Sequence, residues 1–577
     1  MCPPALPSVR EPDALRQLPP EQLPGVAADL RQFVLNTVAG SGGHFGASLG
    51  CIELTVALHY CYDTPKDRLI WDVGHQAHAH KALTKRADGL AGMRQRAGLA
   101  PFPSRDESSF DAFGAGHAST SISAALGMAL ASQSRAEPRR HVAIIGDGGL
   151  TGGMAWEALQ HLGACQAPVL VVINENRMSI SENVGQLVDV LKEPDVRGLA
   201  ETFHTMGLQY HGPVDGHDLE ALITQLTSVR DAKGPQVLHI RTQKGRGYSA
   251  AEADPVGYHA VPVFDPAAGK TASSGNTSWS AAAGQWLCQA AERREDLHVI
   301  TPAMKEGSGL VKFAQQHPRR FHDVAIAEQH AATLAAGLAA GGEHPVLAIY
   351  STFLQRAMDQ VIHDIALQKL AVTLLIDRAG LVGGDGATHQ GVFDISLLRA
   401  IPNIEIVNPS DAHALFAWLD VLCSKTQPTA VRIPRGNIPD IAVADSPAAA
   451  PWHCEVELAG THAVLTTGPM LHRLAPICQE LGLALYHIAQ VKPLPEEGLR
   501  AIAAKHSHWS TVEEHAVAGG LGSSINEWLA ANDANVAIRN RGVPDRFIGH
   551  GSHEENLEEA GIDDASLRQW LNANTRK

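Results

Sequence analysis

The chain has 577 residues, 45% hydrophobic and 19% charged, too much apolar material for one core, so two to four globular domains are expected. Its net charge of -15, with no Lys/Arg-rich run to offset it, repels polyanions and argues against nucleic-acid or anionic-membrane binding. The eight cysteines (2, 51, 61, 165, 288, 423, 454 and 478) are scattered without a CxxC pair, which argues against Cys-held zinc and suits buried thiols in a reducing compartment.

The opening "MCPPALPSVREPDALRQLPPEQL" carries acids and no apolar core of signal-peptide length, and no later run approaches membrane-spanning length. A cytoplasmic protein without a membrane partner is expected. Short apolar strands then alternate with helical patterns over most of the chain, which predicts an α/β fold of mostly parallel sheets flanked by helices.

The first informative stretch is "VAIIGDGGLTGGMAWEALQHL", residues 142–162. The run "HVAII" predicts a buried strand and 150–162 the helix after it, so Gly146, Asp147, Gly148 and Gly149 fall at the carboxyl end of a strand, where doubly wound sheets bind ligands. Glycines there let the backbone approach a phosphate, and the helix N-terminus favours negative charge. Asp147 alone would oppose an anion; it fits if it holds a divalent cation that bridges to phosphate oxygens. The next strand, "VLVVI", ends in Asn174-Glu175-Asn176-Arg177-Met178, with Asn176 29 positions after Asp147. One crossover helix and one strand fill that gap, so both loops share a sheet edge, where the Asn176 amide oxygen and the Met178 carbonyl would complete the metal's protein ligands. Together the two clusters resemble the thiamine-diphosphate signature.

The small, polar, Gly-rich stretch 265–280 reads as a linker, and Ala and Pro interrupt the pattern again at 443–455. Three domains are therefore expected, at 1–270, 275–445 and 446–577. In the second, "DVAIAEQHAATLAAG" places Glu328 just beyond a strand ending at Ile326. A buried acid costs stability unless partnered, so this position asks for a reason. Residues 353–365 read as one helix with Leu354, Met358, Val361, Ile362 and Ile365 on its apolar face, leaving Arg356 and Asp359 available for a site. The loop "RAGLVGGDGATHQG" has five glycines and no helical period, and loops of this kind at strand ends carry function. Arg378 and Arg435 each lie near a strand end. His75, His78 and His80 could suggest zinc, but no Cys or acid in the neighbouring sequence completes the set.

"SGGHFGASLG", "IWDVGHQAHAHK", "GHASTSISAALG", "IGDGGLTGGMAWEAL", "SISENVG", "GPVDGHD", "KGRGY", "AIAEQHA", "YSTFLQRAMDQVIHD", "DRAGLVGGDGATHQGVFD" and "RIPRGN" follow one another in an order that resembles the 1-deoxy-D-xylulose-5-phosphate synthase family, relatives of transketolase. The resemblance runs from about residue 35 to the C-terminus and implies a homodimeric enzyme that uses thiamine diphosphate and Mg²⁺. It would condense pyruvate with glyceraldehyde 3-phosphate, releasing CO₂. By resemblance Asp147, Asn176 and the Met178 carbonyl would hold the metal, Gly146, Gly148, Gly149 and His117 would border the cofactor, Glu328 would activate its aminopyrimidine and Phe353 would stack on that ring. His44, His75 and His389 would face the reacting carbons. Arg94, Tyr350, Arg356, Arg378, Asp385 and Arg435 would line the acceptor site, where guanidinium forks match phosphate oxygens.

Two readings compete: a transketolase-type enzyme with another donor and acceptor, and a catalytically silent cofactor-binding paralogue. One departure bears on both. After "SISENVG" only "QLVDVLKEPDVRG" precedes "LAETFHTMGLQYHGPVDGHD", where the family carries several dozen residues more, and Gly149 stands where the family often has Ala.

Overall fold

The computed structural model describes residues 5–179, 181–270, 277–439 and 449–575. These form two compact units: one takes in the described residues up to 270 together with Ala325–Ala327, the other the remainder. The predicted linker is described except for 271–276, and the second break except for 443–448, so the predicted domain limits near 275 and 445 lie outside the described residues.

The first unit is built on five parallel strands, β1 (Arg68–Trp71), β2 (His141–Gly146), β3 (Val169–Glu175), β4 (Gln209–Asp215) and β5 (Gln236–Arg241), in the order β1-β2-β3-β5-β4. The central β3 is buried along its whole length, and β2 along all but its last residue, as strands covered on both faces must be. The helix predicted over 150–162 occurs as two pieces, α1 (Asp147–Leu150) and α2 (Gly153–Cys165). Gly152 separates them in extended conformation, and a Cβ there would lie 2.3 Å from Ser119 Oγ. Ala155, Ala158, Leu159 and Leu162 bury the helix face against the sheet. The short segment after Gly185 forms one further helix, α3 (Gln186–Lys192), anchored by buried Val188 and Leu191.

The second unit holds two more sheets. Strands β6 (Leu297–Thr301), β7 (Phe321–Asp323), β8 (His344–Tyr350), β9 (Thr373–Asp377), β10 (Glu405–Val407) and β11 (Thr429–Arg432) form a parallel layer. Strands β12 (Trp452–Val456), β13 (His462–Thr466), β14 (Ala484–Ile488), β16 (His508–Ala516) and β17 (Ala537–Val543) form the other, in the order β12-β14-β13-β16-β17 with only β12 antiparallel. Between β14 and β16 in the chain, β15 (Gln490–Lys492) leaves the third sheet and pairs antiparallel with β10, completing the order β15-β10-β11-β9-β8-β6-β7. The stretch after 446 thus supplies the edge strand of the sheet before it.

Two expectations need correction. The strand predicted to end at Ile326 ends at Asp323, because Ala325 takes a φ of 58°, incompatible with extended chain; Glu328 opens helix α4 (Glu328–Ala340). Residues 353–365 are not one regular helix. Short α-helical pieces at Ser351–Leu354 and Met358–Gln360 alternate with a 3₁₀ turn at Gln355–Ala357 and a widened turn at Val361–Ala366. The changing pitch turns Ile362 outward, 47% exposed, while Leu354, Val361 and Ile365 stay buried. Of the cysteines, Cys51, Cys61, Cys288, Cys423 and Cys478 are buried and free as expected, whereas Cys165 and Cys454 are exposed. Among the described residues no helix is long and apolar enough to cross a membrane.

Arg432 at the end of β11 donates through Nε to Asp394 Oδ2 at 2.6 Å, both side chains being almost wholly buried. Its Nη2 reaches the carbonyls of Gly391 and Glu514, tying the two sheets of this unit together. Asp394→Ala is expected to lower stability by about 3–5 kcal/mol, because it strands a buried guanidinium, whereas the double change Asp394→Leu with Arg432→Met recovers most of that loss. Denaturant unfolding followed through the second unit's tryptophans checks both.

Candidate active site

In the first unit, β2 and β3 run side by side and end together, so the two loops predicted to share a sheet edge do so. The Asp147 carboxylate, 1% exposed, accepts from Gly148 N at 3.0 Å and Arg177 N at 2.7 Å. Burial raises its carboxyl to about 6, and the Glu175 charge pushes in the same direction. The Asn176 amide oxygen accepts from Met178 N at 3.0 Å, which fixes its orientation and leaves a second lone pair. A Cβ built on Gly146 meets nothing within 4 Å, so the space over the end of β2 is open, whereas one on Gly148 would touch Ser179 and Asn183 at 3.2 Å. At Gly149 a Cβ would lie 3.1 Å from Asp72 Oδ1 and 3.2 Å from Ile145 Cγ1, a close fit that a small shift would accommodate. His117 sits two residues before Ser119, whose hydroxyl donates to the Gly149 carbonyl at 2.7 Å and whose N–H donates to Asp72.

Gly43–His44 pairs antiparallel with Ala260–Val261, and this pairing gathers three imidazoles. The ring centroids of His44, His75 and His259 lie 5.3–5.6 Å apart, with Phe102 5.7 Å from His44. Burial, reinforced by the Lys244 charge, lowers His75 to about 3 and holds His259 well below the usual range, so both are neutral near pH 7. The Arg94 stem runs along Gly43, where a Cβ would come within 2.9 Å of it. Of the side chains brought together here, the sequence singles out His44, His75 and Arg94 but not His259. The suspected His75, His78 and His80 trio separates: His78 Nδ1 meets Ser48 Oγ at 2.6 Å, while His80 bridges His59 and Asp111 at 2.9 Å each. Asp111, distant in the sequence, pairs with His80 alone of the three histidines and does not complete a set around them, and among the described residues no group of three or more His, Cys, Asp or Glu side chains is placed to hold a metal ion.

In the second unit Glu328, 3% exposed, faces Arg356, whose Nη1 lies 3.4 Å from Oε2. Burial raises the Glu328 carboxyl and the Arg356 charge only partly opposes this. Tyr350 ends β8 and stacks on Phe353 with centroids 5.8 Å apart; Phe353 in turn meets His389 edge-on at 5.5 Å. The Arg378 guanidinium lies 4.0 Å over the Tyr350 ring. Asp385 lies 3.7 Å from Arg435, which also donates to the Val382 carbonyl, so the glycine-rich loop is fastened to the strand end carrying Arg435. Tyr350, Phe353, Arg378, Asp385, His389 and Arg435 therefore follow the carboxyl ends of the neighbouring parallel strands β8, β9 and β11. Gly307, not singled out from sequence, is required here: a Cβ would fall 1.7 Å from Tyr350 Oη.

Residues 6–201 and 193–242 match a family model described as 1-deoxy-D-xylulose-5-phosphate synthase, 276–440 the transketolase pyrimidine binding domain and 454–567 the transketolase C-terminal domain. A 1-deoxy-D-xylulose-5-phosphate synthase of Pectobacterium atrosepticum is 46% identical over 612 aligned positions, covering 98% of this chain and 99% of the relative. One from Alkalilimnicola ehrlichii is 47% identical, covering 98% and 97%. Among solved structures, a transketolase from Campylobacter jejuni superposes with a TM-score of 0.46 at 16% identity, covering 96% of this chain and 99% of that one.

A carboxyl whose folded value lies above its unfolded value costs stability wherever it is ionised. For Glu328 that cost is absent below its usual value of 4.5, grows as pH rises through the raised folded value and is constant above it. Glu328→Gln is therefore expected to raise the melting temperature at pH 8 and to lose this advantage towards pH 4.5. A melting-temperature difference that does not change with pH would show that Glu328 carries no burial cost.

Proposed function

The chain belongs to the 1-deoxy-D-xylulose-5-phosphate synthase family, and from that membership we infer that it condenses pyruvate with glyceraldehyde 3-phosphate, releasing CO₂ and forming 1-deoxy-D-xylulose 5-phosphate. The observation that carries this reading is kinship at 46–47% identity over 98% of the chain. The geometry supports it through a buried carboxylate beside open space at the edge of the first sheet, and a buried glutamate beside an aromatic pair and arginines in the second unit.

Thiamine diphosphate, when bound, supplies the carbanion centre that adds to pyruvate and accepts the electrons released with CO₂. The residues fit such a group. Asp147, Asn176 and the Met178 carbonyl are the oxygen donors proposed for Mg²⁺, a set suited to a hard cation that keeps phosphate and water ligands. The open approach over Gly146 suits the diphosphate, and His117 would border it with Gly148 and Gly149. Glu328 is assigned to the aminopyrimidine, where its raised carboxyl can share a proton at N1′, and Phe353 to the face of that ring. His75 and His259, held neutral by burial, can accept or return protons at the substrate oxygens, with His44 beside them, and His389 serves the same end from the second unit. Arg378 and Arg435 would grip the acceptor's phosphate, with Tyr350 and Asp385 beside them. Arg94 is assigned as a further anion contact. Arg356 lies against Glu328 and so bears first on the charge of that acid. We further propose domain limits near 270 and 446, a homodimer and a cytoplasmic setting.

The test is CO₂ release from pyruvate with thiamine diphosphate and Mg²⁺, with and without glyceraldehyde 3-phosphate, and with the sugar product identified by mass. A deoxypentulose phosphate is expected, and Glu328→Gln is expected to abolish its formation while still binding the cofactor. Cofactor binding without CO₂ release would indicate another substrate pair or a silent paralogue. Because the Asp147 carboxyl titrates near 6 and must be ionised to hold a cation, Mg²⁺-dependent cofactor affinity should fall about tenfold per unit as pH drops below that value. Calorimetric titration at pH 5 and pH 7.5 measures it.

A further inference from the structure

The segment that follows the cofactor loop is short, and one arginine holds both of its ends. Arg241 is the last residue of β5, level with Glu175 on the neighbouring β3. Its Nε donates to Glu175 Oε2 at 2.7 Å. Its Nη2 donates to the carbonyls of Leu191 at 2.7 Å and Glu193 at 2.6 Å, which close the C-terminal end of α3. Glu175 is 2% exposed and immediately precedes Asn176, while Leu191 is fully buried. Everything between these two anchors, residues 176–190, is the stretch that carries Asn176 and Met178.

We propose that Arg241 is a positioning residue that clamps the two ends of this stretch together, so that Asn176 and the Met178 carbonyl are held in place before the cofactor arrives. The role rests on the assignment of those two residues to the metal. The physical argument is one of loop closure: a flexible stretch fastened at both ends has already lost most of the freedom it would otherwise lose on binding. Inside the stretch, a bridge between Met178 and Glu182 and the Lys244 ammonium on the Ser179 carbonyl at 2.7 Å hold the tip. The guanidinium suits the clamp because its planar fork reaches a carboxylate and two carbonyls at once, which a lysine ammonium at the same position could not span. Without Arg241, the carbonyls at the end of α3 lose this donor, and the helix keeps its apolar anchorage through buried Val188 and Leu191 and partly buried Leu187 and Val190.

The test compares the full-length wild-type protein with Arg241→Gln and Arg241→Lys. Titration with thiamine diphosphate and Mg²⁺, read by tryptophan fluorescence, should give a dissociation constant raised about tenfold or more in Arg241→Gln and by less in Arg241→Lys, as for other residues that orient metal ligands. The kcat at saturating cofactor should stay near the wild-type value, and proteolysis of the cofactor-free Arg241→Gln protein should quicken within 176–193. An unchanged dissociation constant, or a fall in kcat alone, would overturn the proposal. Should the variants not fold, hydrogen exchange of the cofactor-free wild-type protein decides. Slow exchange at 189–193 supports the clamp, and exchange at the rate of free chain overturns it. Failure of the wild-type protein itself to bind the cofactor would instead overturn the functional reading, and with it the clamp's role.

Discussion

A carboxylate buried at the end of a parallel sheet is the constraint on which the first unit turns. Asp147 is almost wholly removed from water, and two backbone N–H groups compensate only part of that removal, since its carboxyl still lies near 6. Such a group is an expense to the fold unless a cation repays it. Around it, β2 and β3 end together, glycines flank the aspartate, and the Asn176 side chain is fixed by the N–H of Met178. Glu328 repeats the pattern in the second unit, with burial raising its carboxyl and one arginine as partial compensation. Both acids sit at the carboxyl-terminal side of parallel layers, where chain direction leaves the loops free to carry chemistry.

Neutral histidines extend the same logic. His75 and His259 are held in the uncharged form by burial and by the nearby Lys244 ammonium, so protons moved at these rings return them to the neutral state. In the second unit aromatic faces take over: Tyr350 meets both Phe353 and the Arg378 guanidinium, and the space it occupies exists because residue 307 has no side chain. The candidate site of the first unit is thus made of desolvated polar groups, and that of the second of stacked rings with the Arg378 guanidinium over one of them.

Local pattern made much of this legible. "HVAII" and "VLVVINE" announce buried strand segments, and the clusters that end them are local enough to be read directly. What local pattern cannot express is contact between distant segments. His259 joins His44 only because Gly43–His44 pairs with Ala260–Val261, far away in the chain. Gly307 matters only through the Tyr350 ring that fills its place. Ile362 obeys the helical period on paper and faces outward because the pitch changes beneath it, and Ala325 ends a strand that its neighbours' apolar character would continue. In each case tertiary packing outweighs propensity.

The crossing of β15 into the middle sheet has a consequence for how the polypeptide is made. Until Gln490–Lys492 emerges from the ribosome, the outer edge of β10 has no partner, although every other strand of that sheet has already been synthesised. At ordinary elongation speeds that interval lasts on the order of ten seconds, during which a row of unpaired N–H and C=O groups is available to any passing strand. The nascent chain therefore carries an unpaired edge through that interval, and truncation just short of residue 490 would leave it permanently open.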